Sequence, residues 1–249
     1  MTAPARVLVT GATSGIGLAV TEALLNEGVS VVAVGRNLAS LDGLVERFPE
    51  HLETLRANLA DPADVRLVVP RARASGPLGG FVSAAGIAHH APLGAIAEAS
   101  FREQFEVNVF APMRLGEALV ETLESGGGMV FVASNLAHRP LPSSYVYSAT
   151  KSALLSAVRS LALAGAPRGV RVNAVSPGVV DTPMARQARD ADGDRDPRAI
   201  ERRMEALSAL HPLGRVGTAS EVANGIVQLL RAPWTTGAEL IVDGGLSLA

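Results

Sequence analysis

The chain has 249 residues, 48% of them hydrophobic, and a formal net charge of −2. That length and apolar content suit one large α/β core, and the interspersed charges leave no basic footprint for nucleic acid and no polybasic membrane patch. There is no cysteine, which excludes disulfides, thiolate nucleophiles and cysteine-based zinc sites.

In chain order, short β-branched apolar runs alternate with longer helical patterns. Strands are expected at Arg6–Thr10, Ser30–Val34, Leu52–Ala57, Gly80–Ser83, Met129–Ala133, Val170–Val175 and Glu239–Val242. Helices are expected near 15–27, 38–48, 62–74, 95–124, 145–166 and 219–231. Strands that are apolar on both faces and separated by helices imply a parallel sheet covered on both sides. Right-handed crossovers make it a doubly wound, Rossmann-type sheet in a single α/β domain over 1–249. No apolar run reaches the ~18 residues of a membrane span. No charged segment followed by an apolar one opens the chain, so a cytoplasmic protein is expected.

The first strand runs into Thr10-Gly-Ala-Thr-Ser-Gly-Ile-Gly17 and then helical Leu18–Asn26. In this G-x3-G-x-G turn, Gly11, Gly15 and Gly17 let the backbone bend tightly and approach a pyrophosphate. The N–H groups of the new helix, with its dipole, favour an anion there. Thr13, Ser14 and Ile16 complete the expected cradle. A P-loop is disfavoured, because no Gly-Lys-Ser/Thr follows.

The second strand ends in Val34-Gly35-Arg36-Asn37. Enzymes that prefer NAD place a carboxylate at this point, against the adenosine ribose diol. Gly35 stands there instead, and the Arg36 guanidinium can pair with a 2′-phosphate and stack on adenine. The expected cofactor is therefore NADP(H), with NAD(H) as the lesser alternative.

Tyr147 and Lys151 lie four residues apart at the start of a helix and share a face. A phenol near its usual pKa of about 10 is a poor base at neutral pH. A neighbouring ammonium and a positive nicotinamide favour the phenolate, so the pair is suited to proton transfer at oxygen. Of 22 basic residues, Lys151 is the one lysine. In the 95–124 stretch, Pro112 follows Asn108 by four residues. Proline has no N–H and its ring crowds the carbonyl at i−4, so the Asn108 carbonyl is expected to be free for water.

Together these motifs resemble the short-chain dehydrogenase/reductase family over the whole chain. Thr10–Gly17 matches TGxxxGxG and Tyr147-Ser-Ala-Thr-Lys151 matches YxxxK. The resemblance implies hydride transfer between NADP(H) and a small carbonyl or secondary alcohol, with the ketoreductase direction favoured. Tyr147 would be the acid/base and Ser134, 13 residues before it, would hold the substrate oxygen. Lys151 would bind the nicotinamide ribose and tune Tyr147, and Asn108 would hold a proton-relay water. Ser176-Pro177-Gly178, Val180 and Thr182 would meet the nicotinamide, and Asn58-Leu59 the adenine. Leu213–Gly217 and Val242-Asp-Gly-Gly245 resemble C-terminal signatures of the family.

The family's NNAG segment reads Ser83-Ala84-Ala85-Gly86 here. Ala85 and Gly86 remain candidate cofactor contacts, while Ala84 cannot make an asparagine's side-chain bonds. Substrate pockets in the family imply Ala88–Leu93, Asn135–Ser144 and Val179–His211, the last a charge-rich stretch expected to act as a mobile lid at about 183–212. His89, His90, His138 and His211 are expected as surface or pocket wall, with no metal site. Relatives imply a homotetramer with an interface over 100–124 and 145–166. A regulatory protein on the same fold that senses NADP(H) without turnover is the alternative reading, and an epimerase or dehydratase with tightly held cofactor is a third.

Overall fold

The computed structural model describes residues 6–187 and 196–249. Seven strands form one sheet: β1 (Arg6–Thr10), β2 (Ser30–Gly35), β3 (Leu52–Arg56), β4 (Gly80–Ser83), β5 (Gly128–Val132), β6 (Arg171–Pro177) and β7 (Glu239–Val242). Their spatial order is β3-β2-β1-β4-β5-β6-β7, and all six pairings are parallel. The chain runs outward from β1 to β3 and then returns to place β4 on the other side of β1. That reversal opens a crevice above the carboxyl ends of β1 and β4, where doubly wound sheets take their ligands.

Two apolar clusters cover the two faces. On one face Leu8, Phe81, Met129 and Phe131 meet α3 (Pro62–Ala74), α5 (Ala111–Val120) and α6 (Tyr145–Gly165). On the other, Val7, Val9, Val82 and Val130 meet α1 (Gly15–Asn26), α2 (Asp42–Arg47) and α9 (Ala219–Arg231). The alternation along each strand follows from the two-residue repeat of side-chain direction. Phe81 and Phe131 pack edge to face with centroids 5.6 Å apart, a geometry that adds about 1 kcal/mol to the burial of their area.

The expected 95–124 helix is divided. It consists of α4 (Glu98–Phe105), a π-helical turn Glu106–Phe110 and α5. Pro112 is the second residue of α5, so the widened turn falls where a proline in a continuous α-helix would clash with the carbonyl four residues back. Two more helices, α7 (Pro183–Arg186) and α8 (Pro197–Ala209), stand in the charge-rich stretch between β6 and α9. There the charges are organised. Arg186 binds Asp181 in a fork at 2.5 and 2.9 Å and reaches Glu201 at 2.7 Å. The charged positions Arg189, Asp190, Asp192, Asp194 and Arg195 lie outside the described residues.

Among the described residues no helix is long and apolar enough to cross a membrane.

Candidate active site

One cavity of about 1190 Å³ occupies the crevice over the carboxyl ends of the strands. Its first half is made of backbone. Gly11 has φ +68°, and a Cβ there would stand 2.6 Å from the Ala85 nitrogen, so the turn after β1 touches the end of β4 only because a side chain is missing. A Cβ on Gly17 would lie 2.2 Å from the Gly11 carbonyl oxygen; this residue closes the turn from behind and does not line the cavity. Gly11, Thr13, Ser14, Gly15 and Ile16 do line it. No side chain caps the first turn of α1, and the first amides of a helix have no intrahelical acceptor. A cradle of close backbone with open amides at a helix start fits a pyrophosphate.

Beside it, a Cβ on Gly35 would lie 2.3 Å from Thr13 Cγ2. The position where a carboxylate would stand is thus closed by Thr13, and Arg36 lines the cavity next to it. Asn58 and Leu59 line the same end. The Asn58 side-chain oxygen is engaged in its own loop, accepting from the Ala60 N–H at 3.2 Å.

The second half is made of side chains. Tyr147 projects from the first turn of α6 and Ser134 from just beyond β5, close enough for the serine hydroxyl to favour the phenolate. Lys151 follows one turn later, 4% exposed, with Nζ donating to the Val132 carbonyl at 2.8 Å and lying 5.6 Å from the Tyr147 ring centre. All three line the cavity.

The electrostatics differ from the expectation. Burial pushes the Tyr147 phenol up to about 12, and the Ser134 hydroxyl recovers only part of that. Burial also brings the Lys151 ammonium down to about 8. The ammonium is turned toward a backbone carbonyl, and desolvation outweighs its influence on the phenol. The protein by itself therefore keeps Tyr147 protonated.

Asn108 is 1% exposed and does not line the cavity. Its side chain accepts from the Ile87 N–H and donates to the Ile87 carbonyl, both at 2.9 Å, and also donates to Thr150 Oγ1 at 3.1 Å. It ties the loop after β4 to α6, next to Lys151. This side chain braces a segment that Ala84 cannot brace.

Pro177, Gly178, Val180 and Thr182 line the cavity beyond β6. The two C-terminal signatures support them from behind. Gly217 brackets this strip, donating to the Val179 carbonyl and accepting from the Asp181 N–H, both at 2.9 Å. Asp243 packs on Gly178, where a Cβ would stand 2.9 Å from the Asp243 Cα. His211 is 4% exposed; Nε2 accepts from the Val179 N–H at 3.3 Å, and Nδ1 donates to the Leu207 carbonyl at 2.8 Å. His138 lies outside the cavity lining and pairs with Glu239 at 2.7 Å, whereas His89 and His90 line the cavity. No group of three or more metal-binding side chains occurs among the described residues.

Sequence reasoning covered Leu207 and Leu210 only within the broad Val179–His211 stretch, without singling them out, and missed Leu246 as a lining residue. For the first two a signal existed. Asp196 caps Pro197 at the start of α8 by accepting from the Arg198 N–H, and Ile200, Met204, Leu207 and His211 recur at helical spacing.

A family profile described as Enoyl-(Acyl carrier protein) reductase matches residues 11–247. The chain is 34% identical to L-xylulose reductase of Caenorhabditis elegans over 97% of its own length and 95% of that protein. It is 32% identical to 3-oxoacyl-[acyl-carrier-protein] reductase of Rattus norvegicus, covering 96% of each. Among solved structures, a short chain dehydrogenase family protein from Francisella tularensis subsp. tularensis SCHU S4 matches with a TM-score of 0.87 at 27% identity, over 98% of this chain and 99% of that one. A blue fluorescent protein from a metagenomic library, in complex with NADPH, matches with a TM-score of 0.85 at 31% identity, over 97% of each. A seven-stranded parallel sheet, a glycine-closed crevice and these full-length likenesses have one meaning: the chain belongs to the short-chain dehydrogenase/reductase family of oxidoreductases.

Proposed function

We propose that the protein is an NADPH-dependent ketoreductase, acting on a small carbonyl compound, with Tyr147 as the general acid. The observation that carries this reading is the meeting of Ser134, Tyr147 and Lys151 in the same cavity as the glycine cradle. Relatives named as reductases of L-xylulose and of 3-oxoacyl carrier protein support it.

NADPH, when bound, supplies the hydride. The chain's own residues do the rest. Gly11, Thr13, Ser14, Gly15 and Ile16 receive the pyrophosphate, Arg36 pairs with the 2′-phosphate, and Asn58, Leu59, Ala85 and Gly86 border the adenosine side. Pro177, Gly178, Val180 and Thr182 flank the nicotinamide. Ser134 and Tyr147 both hydrogen-bond the carbonyl oxygen, which orients the carbonyl and polarises it. Tyr147 then gives its proton to that oxygen as the carbon is reduced. The Tyr147 phenol, raised to about 12 by burial, is protonated at neutral pH and so is available as the proton donor. Lys151 holds the ribose hydroxyls and lowers the cost of the phenolate left behind. Asn108 offers its backbone carbonyl to a relay water that returns the proton. The segment at about 183–212 serves as the substrate lid, and the working form is a homotetramer with residues 100–124 and 145–166 at one interface. A monomer mass by light scattering would overturn that assembly.

The test is Tyr147→Phe. Turnover of carbonyl substrates is expected to fall about 10²- to 10⁴-fold, the range for loss of a positioned acid. The NADPH dissociation constant, read by nucleotide fluorescence, is expected to stay within about threefold because the phenol is not part of the phosphate cradle. Full activity in that variant overturns the assignment, and tight NADPH binding with no turnover of any carbonyl by the unaltered protein favours the sensor reading.

A further inference from the structure

The cavity changes character along the sheet. Over β5 to β7 it meets six large apolar side chains: Leu136 and Leu141 after β5, Met184 on α7, Leu207 and Leu210 on α8, and Leu246 in the C-terminal turn. None of them belongs to either core cluster or packs against one. Leu141, Met184 and Leu210 remain exposed. On α8 only Met204 is buried, although Ile200, Met204 and Leu207 form an apolar stripe at helical spacing. Several polar groups on this side already have partners. Arg139 donates to the carbonyls of Leu246, at 2.7 Å, and of Ala249. His90 Nδ1 lies 2.7 Å from the buried Ser144 hydroxyl. Apolar surface that faces a ligand cavity and is left out of the core is surface for the ligand.

We infer that the substrate carries an apolar substituent on its carbonyl carbon: an alkyl or aryl ketone, not a polyhydroxylated ketose. This rests on the reductase reading above. The carbonyl oxygen sits at Ser134 and Tyr147, and the substituent runs over Leu136, Leu141, Met184, Leu207, Leu210 and Leu246 toward the mouth. The carbonyl carbon gains a hydride from NADPH, the oxygen gains the Tyr147 proton, and the products are a secondary alcohol and NADP⁺, with the phenolate reprotonated from solvent. A ketose would set hydroxyl groups against leucine side chains that offer them no hydrogen bond, which costs binding free energy.

The experiment is a kinetic series from 2-butanone to 2-octanone, with acetophenone and dihydroxyacetone, following NADPH consumption. kcat/KM is expected to climb about threefold to fourfold per methylene, as burial of a CH₂ implies. Dihydroxyacetone is expected to fall at least 100-fold below 2-octanone. Leu207→Asn combined with Leu210→Asn is expected to flatten the climb, with NADPH affinity and thermal unfolding measured to show that the fold and the cradle are intact. A hydroxyketone turned over as well as 2-octanone, or a climb unchanged in the double variant, overturns the inference. If no carbonyl is consumed at all, the reductase reading falls by itself. The apolar wall is then judged by binding of 2-octanone against dihydroxyacetone to NADPH-loaded Tyr147→Phe, read from nucleotide fluorescence, and equal affinities sink it.

Discussion

The two halves of the cavity are built by opposite means. Over β1 to β4 the wall is backbone, brought close by glycines whose Cβ atoms would collide with their neighbours, as at Gly11 and Gly17. Over β5 to β7 the wall is side chain, delivered by α6, α7, α8 and the C-terminal turn. At Gly11 and Gly17 the first half has no tolerance for added atoms. The second can exchange one side chain for another without disturbing the sheet. A nucleotide with fixed dimensions suits the first construction, and a substrate that differs between relatives suits the second.

The largest expected effect lies in the backbone half. Gly17→Ala places a methyl against the Gly11 carbonyl oxygen, where nothing flexible can yield. A cost of about 3 kcal/mol is expected, seen as a Tm lower by roughly 6–12 °C together with loss of measurable NADPH binding. A variant that melts and binds like the parent would show that the turn is less rigid than the structure requires.

Next in size is Arg36→Ala. Removing a charge-assisted phosphate contact is expected to lower kcat/KM with NADPH about 10- to 100-fold and to leave NADH nearly unchanged. Gly35→Asp alone is expected to damage both cofactors, since its Cβ would meet Thr13 Cγ2, and to favour NADH only when combined with Thr13→Ala. Better use of NADH than NADPH by the unaltered protein would refute the role given to Arg36.

The smallest effect on function belongs to the side-chain half and is read through the pH dependence of stability. Burial lowers Lys151 to about 8 from 10.5. Between those values the unfolded chain holds more protons than the folded one, so stability rises with pH across that window. The rise is at most about 3 kcal/mol. Tyr147, raised from 10.0 to about 12, acts oppositely above pH 10, where the folded state holds the extra proton. Thermal unfolding from pH 7 to 10 is expected to show a rise of a few degrees that Lys151→Met abolishes. An identical pH profile in that variant would place the lysine in a wetter setting than the structure gives it.

Much of this contrast was legible beforehand, and unevenly so. β1, β4 and β7 begin and end where the apolar runs do; for β1 and β4 the reason is that strands buried on both faces leave little ambiguity in pattern. The cradle was legible too, since a tight turn that needs glycine announces itself in the chain. The π-helical turn before Pro112 was not, because one widened turn changes no periodicity that a sequence shows. The proline marked the place without saying what form the disturbance would take. α8 was hidden by its charges: Arg198, Glu201, Arg202 and Arg203 read as solvated lid, although the apolar stripe beneath them was present. Contacts such as Arg139 to Leu246, far apart in sequence, leave no local trace. The protein's own effect on the Tyr147 phenol is upward: the lysine's nearness was visible in the sequence, and the depth of burial was not.

The ε-amine of Lys151 has a practical consequence. It is the only one in the chain, it borders the cavity, and at about 8 much of it is unprotonated in mildly alkaline buffer. Apart from the chain terminus, an acylating label has one address on this molecule, and that address is the candidate site. Labelling stoichiometry by mass spectrometry would become a direct gauge of site occupancy, with bound nucleotide shielding the amine. Coupling to an amine-reactive resin would have no surface lysine to seize.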